Sequence, residues 1–243
     1  SYSDFLDKAN SGAIQSITIT GETITGTDTV RKLGDAWIIC DGRTVMPASE
    51  GGAWLLGQRE GRDWADVRTT GGNAIGKNRA VLYADPTAIL AGDWAADQEV
   101  EAVVFRSGTG TARREIELRL RATLTTGFCL NYEVIFRAYD PSPNLQIVKW
   151  PGPLATSSSQ FVFLFGSTVT ANRIADGDTI KARIVGNTIT AYINGILRAT
   201  VTDNSSPITA GAPGFGFNYN YEGLSEAGGY SNHGLKSLAA REI

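Results

Sequence analysis

The chain has 243 residues, of which 42% are hydrophobic and 19% are charged, and its formal net charge at pH 7 is −3. It is long enough to bury the core of one large all-β domain, and it lacks the basic excess that a nucleic-acid partner would require. No run of about 18 apolar residues is present to span a membrane, and the first twelve residues do not have the pattern of a secretory signal.

The first part of the chain has the least regular pattern. Residues 3–9 have a helical composition, and the alternating stretch SITITGETITGT predicts a hairpin that turns at Gly21. Residues 47–78 are rich in Gly, Arg, Asp and Trp and have no lasting period, which is typical of long functional or partner-bound loops. We therefore expect a single domain over residues 1–243, in which an irregular part of about residues 1–78 packs on the rest.

From residue 78 onward, strand patterns recur every eight to twelve residues. Residues 114–123, with the sequence REIELRLRAT, alternate most clearly between apolar and charged side chains. Residues 160–165 are apolar almost throughout, which predicts a strand that is buried on both faces or covered by a loop. The other predicted strands of this part are 78–83, 98–106, 132–138 and 145–150.

A three-stranded meander is the clearest pattern in the C-terminal part of the chain. Gly186-Asn187 and Asn194-Gly195 can supply the positive φ angles that tight hairpin turns need, and alternating residues flank both turns. The predicted strands are 179–185, 188–194 and 196–201. With about a dozen strands and no long helix, the chain is predicted to be all-β, folded as a two-sheet antiparallel β-sandwich.

Several segments occur in a characteristic order: W-x-x-x-x-G-R at 37–43, NRA at 78–80, DW followed by EVEA at 93–102, YEVIFRA, DGDTIKARIVGNTITAYING, and PGFGF followed by GLKSLAA. Together they resemble the concanavalin A-like, laminin-G-type jelly roll, over about residues 4–243. The resemblance implies a jelly-roll sandwich. Members of the superfamily include lectins, carbohydrate-binding modules, glycosidases, polysaccharide lyases and viral or bacterial surface domains. The opening DFLDKANSGAI also resembles the start of such domains in phage tail and virion proteins.

Polar residues on the predicted strands form the main candidate site. If these strands share one concave sheet, Arg and carboxylate side chains line a groove that binds hydroxyl or uronate groups, and an aromatic ring stacks on a pyranose. The alternative is a series of cross-strand charge pairs on a solvated face, each worth roughly a few tenths of a kcal/mol. The candidate residues are Glu115, Glu117, Arg119, Arg121, Glu133, Arg137, Gln146, Lys149, Trp150, Lys181, Arg183 and Tyr192.

Two catalytic alternatives involve the same strands. Alginate-lyase-like members of the superfamily carry R-[ST]-E-L-R, Q-[IV]-H and Y-x-K-x-G-x-Y-x-Q strands. Here Glu117-Leu118-Arg119 matches the end of the first motif, Val148 replaces the His of the second, and the third is absent. Glycosidases of the fold carry E-x-D-x-x-E, whereas REIELR lacks the Asp and the final Glu. The catalytic residues are therefore unknown.

No cofactor or metal site is predicted. Cys40 and Cys129 lie in apolar runs without CxxC spacing, which favours two buried thiols over a disulfide. His233, the single histidine, lies in a loop-like segment where we expect it to make a hydrogen bond. A structural calcium ion would need converging oxygen ligands, and the aspartates on predicted turns match no defined calcium loop. These are Asp176, Asp178 and Asp203.

The sequence therefore predicts a carbohydrate-binding, lectin-like module with a polysaccharide or other glycan as its partner. Its expected location is extracellular or on a virion, as part of a phage virion protein or a surface adsorption protein. One alternative is a polysaccharide-degrading enzyme, lyase before glycoside hydrolase, acting in the concave groove. Another is a structural subunit of a homo-oligomer or virion that binds no glycan. Trp54, Trp64 and Trp94, in or beside the loops, are candidates for sugar stacking or for contacts with neighbouring copies, and core packing explains these tryptophans equally well.

Overall fold

The computed structural model describes residues 14–20, 23–28, 31–32, 54–56, 67–70, 72–76, 85–107, 113–125, 128–137, 144–153, 161–220 and 232–243. Over these ranges the chain forms strands joined by turns and one short 3-10 helix, Thr170–Asn172. None of the described residues belongs to a helix long and apolar enough to cross a membrane.

The strands are numbered in chain order. They are β1 (Ile14–Thr20), β2 (Thr23–Asp28), β3 (Arg31–Lys32), β4 (Trp54–Leu56), β5 (Val67–Thr70), β6 (Asn73–Gly76), β7 (Thr87–Leu90), β8 (Gln98–Arg106), β9 (Arg113–Thr125), β10 (Phe128–Arg137), β11 (Leu145–Pro153), β12 (Val162–Ser167), β13 (Thr179–Val185), β14 (Thr188–Ile193), β15 (Ile196–Thr202), β16 (Ala212–Asn220) and β17 (His233–Glu242).

Two large antiparallel sheets form a sandwich. The front sheet has seven strands in the order β12-β11-β10-β9-β16-β7-β4, and the back sheet has eight in the order β15-β14-β13-β8-β17-β6-β5, with β3 paired to β17. The strands β1 and β2 form a separate hairpin. The prediction of an all-β, two-sheet antiparallel sandwich is confirmed.

The core lies between the two sheets and comes from alternate residues of their strands. Leu118 of β9 and Val134 of β10 face it from the front sheet, and Val100 of β8 and Ala182 of β13 face it from the back sheet. Each fully buried side chain of the size of Val or Leu stabilises the fold by about 1.5–3 kcal/mol relative to an exposed one. The apolar inner faces of the two sheets therefore meet in this core, and a smaller buried apolar cluster lies apart from it, formed by Ile89, Ala122, Leu124, Cys129 and Ala212.

The predicted meander is confirmed in register. Strand β13 pairs with β14, and β14 pairs with β15, both antiparallel. Gly186 has a φ of 55° and Gly195 has a φ of 76°, which is the left-handed conformation that the two turns require.

The N-terminal part contributes strands to both sheets. The hairpin predicted at Gly21 is confirmed by the pairing of β1 with β2. Strand β4 pairs with β7 in the front sheet, whereas β5 and β6 extend the back sheet next to β17. The predicted helix at 3–9 and the predicted strand at 78–83 lie outside the described residues. Whether residues 1–243 are one domain stays a prediction.

The prediction for residues 160–165 is wrong in one respect. The segment forms β12, but β12 is the edge strand of the front sheet and pairs with β11 alone. Val162 is 51% exposed and Phe163 is 60% exposed. An apolar run predicts that the side chains of the segment are buried, but it does not distinguish a central strand from an edge strand of a sheet.

Candidate functional site

The outer face of the front sheet, which points away from the back sheet, carries most of the predicted candidate residues. The alternation of β9 places Glu117 and Arg119 on this face because Leu118 points into the core. In the β9–β10 register Arg119 lies opposite Glu133, and Glu115 lies opposite Arg137. The predicted sharing of one sheet face by the strands β9, β10 and β11 is thus confirmed. The face differs from the prediction in that these charged side chains are buried.

Arg119 is the centre of a buried charged group on this face. Its Nη1 donates to Glu133 Oε2 at 2.6 Å and to Asn131 Oδ1 at 3.1 Å. Its Nη2 donates to Glu117 Oε2 at 2.6 Å and to Asp85 Oδ1 at 3.1 Å. We call these five residues the Arg119 cluster. One guanidinium therefore binds three carboxyl groups from two strands and from the segment before β7.

The three carboxyl groups compete for a single positive charge. Burial, only partly offset by Arg119, raises the pKa of Asp85 to about 7. Burial, together with the charges of Asp85 and Glu133, raises the pKa of Glu117 well above its usual range. Both carboxyl groups are therefore protonated more readily than ordinary Asp and Glu side chains.

Arg119 keeps its positive charge in this setting. Burial alone lowers the pKa of Arg119, but the charges of Glu133, Asp85 and Glu117 outweigh burial and raise it above its ordinary value. The carboxylate oxygens of these three acidic residues lie within 4.8 Å of one another, which is a spacing that a metal ion can use. The guanidinium already supplies the positive charge to all three, so the group does not fit a second cation.

A second ion pair and a glycine complete this part of the face. Arg137 donates to Glu115 Oε1 from Nε at 2.7 Å and also from Nη2. Gly216 of β16 lies opposite Glu117, and a Cβ at this position would lie 2.5 Å from Glu117 Oε2 and 2.6 Å from Arg119 Nη2. A glycine is therefore required where the charged side chains cross β16. Gln146 also lies on this face, opposite Ile135 in the β10–β11 register, and is buried.

A row of aromatic rings continues the face toward the edge of the sheet. The indole N–H of Trp150 donates to Glu133 Oε2 at 2.5 Å, which connects the row to the Arg119 cluster. The ring centroids of Trp150 and Phe161 are 5.2 Å apart, and those of Phe161 and Phe163 are 4.9 Å apart. We call these three residues the aromatic row. Its rings change from half-buried at Trp150 to exposed at Phe163.

Sequence reasoning found Trp150 but missed Phe161 and Phe163. Their run, QFVFLF, was assigned to a strand buried on both faces. The spacing of the two phenylalanines, at i and i+2, was the pattern that placed them on one face of the strand. Only the pairing of β12 with β11 shows that this face borders Trp150.

The structure does not place Arg121 or Lys149 in the groove, contrary to prediction. Arg121 has a φ of 49°, and its side chain leaves the sheet to donate to the carbonyl oxygens of Ala96 and Gly186, both at 2.6 Å. Lys149 lies on the opposite face of β11 from Trp150, and its Nζ donates to Asp203 Oδ2 at 2.8 Å. A β-bulge in the β9–β10 pairing changes the direction of the Arg121 side chain. The alternation of side chains along β11 places Lys149 on the face opposite to Trp150. Both side chains hold loops of the scaffold.

The prediction also placed three residues of the meander in the groove, and this is wrong because β13 and β14 belong to the back sheet. These residues are Lys181, Arg183 and Tyr192. Lys181 Nζ lies 4.8 Å from the ring centroid of Tyr192 and 3.7 Å from Glu99 Oε2. These contacts form the charge ladder that was the alternative interpretation. Alternation identifies a polar face of a strand but does not show in which sheet the strand lies.

The histidine prediction is wrong in its location. His233 is the first residue of β17, is buried, and its ring meets Phe217 edge-on at a centroid distance of 6.1 Å. Because Phe217 belongs to the core, the only imidazole of the chain lies between the sheets and not on the outer face. Cys129 is a free buried thiol, and burial raises its pKa to about 12. Cys40 lies outside the described residues.

The three turn aspartates bind protein groups at separate places. Asp176 Oδ2 accepts from Lys236 Nζ at 2.7 Å, and Asp178 Oδ1 accepts from Asn194 Nδ2 at 2.9 Å. Asp203 accepts from Tyr132 at 2.7 Å and from Lys149. Their interpretation as turn residues agrees with these contacts. The sequence predicts no calcium site at any other place in the chain.

Of the loop tryptophans, Trp54 packs in the core. It is buried in β4, and its ring meets Phe215 edge-on at a centroid distance of 5.1 Å. Trp94 is half-buried and packs against the core, whereas Trp64 lies outside the described residues. Core packing is therefore the role that the structure shows for Trp54 and Trp94.

Comparisons with known proteins identify the fold. No protein-family model matches the sequence, and no curated protein matches it significantly. Among solved structures, a prokaryotic β-1,3-1,4-glucanase (lichenase) derived from a mouse hindgut metagenome has a TM-score of 0.50 and 10% identity, over 87% of this chain and 99% of that chain. The fold is the concanavalin A-like jelly roll that the sequence resemblance implied.

Two carbohydrate-binding modules are further structural neighbours. CBM66 from Bacillus subtilis has a TM-score of 0.46 and 14% identity, over 69% of this chain and 92% of that chain. The CBM2 module of the evolved Dit protein of Lactobacillus casei BL23 phage J-1 has a TM-score of 0.48 and 12% identity, over 78% of this chain and 89% of that chain. At such identities the likeness concerns the fold alone.

Proposed function

We propose that the protein is a carbohydrate-binding module and that the aromatic row is its sugar-binding surface. The observation that supports this proposal is the row itself, in which an exposed phenylalanine continues a series of rings in tilted and edge-to-face contact from a tryptophan held by a carboxylate. Aromatic rings bind the apolar faces of pyranose rings, and an adjacent polar group orients them. An exposed ring of this size on an edge strand otherwise weakens solubility.

The aromatic row is organised before any ligand arrives. Glu133 accepts from Trp150 and from Arg119 through the same oxygen, Oε2. Arg119 is in turn held by its other acidic partners. A side chain fixed in this way loses little conformational freedom on binding, which favours affinity.

The Arg119 cluster supports the surface and does not form it. Arg119 and Glu117 are both 0% exposed, so neither contacts a ligand on this surface directly. The sequence predicts an open groove lined by charged side chains. We propose in its place an exposed aromatic surface that is held by the buried Arg119 cluster.

A screen on a glycan array tests the proposal. The wild-type protein and the Phe163→Ala variant are compared with Leu197→Ala as the matched control, because Leu197 is also a large apolar residue, 52% exposed, but lies in the back sheet. We expect binding that falls by about fivefold to tenfold in Phe163→Ala, since one aromatic contact is worth about 1–1.4 kcal/mol. Leu197→Ala should bind as the wild type does.

Binding that survives Phe163→Ala unchanged would remove the aromatic row as the site. The thermal unfolding midpoint of each variant shows whether the fold is retained. Size-exclusion chromatography with light scattering addresses the rival hypothesis of a structural assembly subunit, for which we expect a defined oligomer and no glycan binding.

A polysaccharide-degrading enzyme is the second candidate function, and one observation favours it. A raised carboxyl pKa is what a general acid requires, and burial raises the pKa of Asp85 and of Glu117, although both side chains are buried. A lyase that uses an imidazole base is disfavoured, because His233 lies in the core. Incubation with neutral and uronic polysaccharides, with reducing ends and the absorbance of unsaturated products as readouts, tests the enzyme. Flat traces in both would end this candidate.

We also propose a location outside the cell, on a virion or on another surface that meets glycans. The resemblance of the N-terminal segment DFLDKANSGAI to phage virion domains supports this location. Mass spectrometry of purified particles and of secreted fractions from the source is the direct test. Detection confined to the soluble interior of cells would contradict it.

A further inference from the structure

We infer that the aromatic row selects uncharged glycans and discriminates against polyuronates. This inference rests on the proposed function and names the class of ligand that the same site takes. It differs from the expectation for an arginine-lined groove, in which a guanidinium would bind the carboxylate of a uronate. Three features of the outer face lead to it.

The first feature is that the guanidinium groups of this face are already used. Arg119 is buried and binds Asp85, Glu117 and Glu133, and Arg137 binds Glu115 through two of its nitrogens. A uronate carboxylate needs a bidentate donor that can leave its present partners. Breaking either arginine away would leave buried carboxylates without compensation, which is strongly unfavourable.

The second feature is the direction in which the nearest lysine points. Lys149 precedes Trp150 in β11, but its Nζ lies on the opposite face and donates to Asp203 Oδ2 and to the carbonyl oxygens of Ser205 and Ser206. It therefore supplies no positive charge beside the aromatic row. Within the described side chains of the outer face, only Arg119 and Arg137 are cationic.

The third feature is the sign of the charge beneath the aromatic row. The described side chains of this face include four carboxyl groups, from Asp85, Glu115, Glu117 and Glu133, against the two guanidinium groups. Burial raises the pKa of both Asp85 and Glu117, and the excess is negative as long as at least one of these two groups is ionised. Glu133 touches Trp150 directly, so the negative group nearest to a stacked sugar is also the group that fixes the tryptophan. A neutral pyranose feels little of this charge, whereas a uronate is repelled by it.

The test uses pairs of probes that share a sugar backbone and differ in the charge of the group at C6. One pair is polygalacturonate and its fully methyl-esterified form, and a second is cello-oligosaccharides and their C6-oxidised counterparts. Affinity electrophoresis and calorimetry are run with the wild type and with Phe163→Ala, at low and at high ionic strength. We expect the uncharged member of any bound pair to bind at least about tenfold more tightly at low ionic strength. The difference should shrink as salt screens the repulsion.

Each result decides between the two proposals. Equal or tighter binding of the charged member, lost in Phe163→Ala, would overturn the selectivity inference and leave the carbohydrate-binding surface intact. Preference for the uncharged member without any effect of Phe163→Ala would show selectivity at another site and overturn both. Absence of binding to every member of the pairs and of the array would overturn both as well. Loss of the preference at high salt, with Phe163-dependent binding retained, supports the inference.

Discussion

In the β10–β11 register Trp150 lies opposite Asn131, and Glu133 lies opposite Val148. The indole N–H of Trp150 nevertheless reaches Glu133 Oε2 at 2.5 Å. The same oxygen accepts from Arg119 Nη1 at 2.6 Å. One carboxylate thus links the buried charges of the front sheet to the aromatic row at its edge. Substitutions in the buried cluster are expected to affect ligand binding through this carboxylate.

Trp150→Phe tests this link. The ring that packs against Phe161 at an interplanar angle of 58° is largely kept, but the N–H donor to Glu133 is lost. We expect a loss of about 1 kcal/mol in the free energy of unfolding and a weakening of glycan binding that is smaller than in Phe163→Ala. Chemical denaturation and calorimetry measure the two effects. Unchanged stability would show that the hydrogen bond contributes nothing.

Arg119→Met is expected to be among the most destabilising substitutions of the chain. It leaves the partners Asp85, Glu117 and Glu133 buried without a counter-charge, which costs about 3–5 kcal/mol when one partner of a buried ion pair is removed. Lys181→Met is the control, because Lys181 makes its ion pairs on the outer face of the back sheet. The control should cost about 1 kcal/mol or less.

Urea unfolding of both variants, read by circular dichroism, measures the comparison. Equal costs for the two substitutions would show that the Arg119 cluster is no more than a surface charge ladder. A variant of Arg119 that cannot be purified folded would agree with the prediction, provided that Lys181→Met is purified normally.

The stability of the protein should decrease as the pH rises from about 4 to about 7. Burial raises the pKa of Asp85 from 3.8 in its ordinary state to about 7 in the fold. The folded state therefore binds more protons than the unfolded state in this window, so protonation favours folding below it and this contribution is lost as the pH rises through the folded pKa. Glu117, whose pKa is also raised, acts in the same direction.

Asp85→Asn is the control for the pH profile. The amide does not titrate, so the decrease in stability between about pH 4 and pH 7 should become shallower in this variant. Denaturant unfolding across this pH range provides the measurement. Parallel profiles for the wild type and Asp85→Asn would contradict the assignment of the raised pKa to the Arg119 cluster.

Gly216→Ala should disturb the cluster without changing its charge. The added methyl group would meet Glu117 Oε2 at 2.5 Å and Arg119 Nη2 at 2.6 Å, so one of the two buried side chains must move. We expect a loss of about 1–3 kcal/mol in the free energy of unfolding, as for other overpacked sites. An alanine tolerated at no cost in thermal unfolding would mean that these side chains are freer than the structure shows.

The sequence was sufficient for the fold because alternation and turn residues agree along β13 and β14. It was also sufficient to place Glu117 and Arg119 on one face of β9. It failed for Lys181 and Tyr192, since a polar face looks the same in either sheet. Alternation also gives no information on burial. A charged residue such as Arg119 is expected to be exposed to water unless its partners, most of them on other segments, are known.

Phe163 shows the opposite limit. Its apolar neighbours suggested a buried strand, whereas the position of β12 at the edge of the front sheet exposes the ring. Strand order depends on contacts between residues that are distant in sequence, and one strand's pattern contains no information on them. The surface that we propose to bind sugar was therefore the part that sequence reasoning alone could not find.

The most direct test of the account is a calorimetric titration with an uncharged oligosaccharide chosen from the array. Wild type, Phe163→Ala and the back-sheet control Leu197→Ala are titrated side by side under the same conditions. The account predicts saturable binding for wild type and Leu197→Ala, and an affinity lower by about fivefold to tenfold for Phe163→Ala. Identical isotherms for all three folded proteins would contradict the aromatic row as the sugar-binding surface.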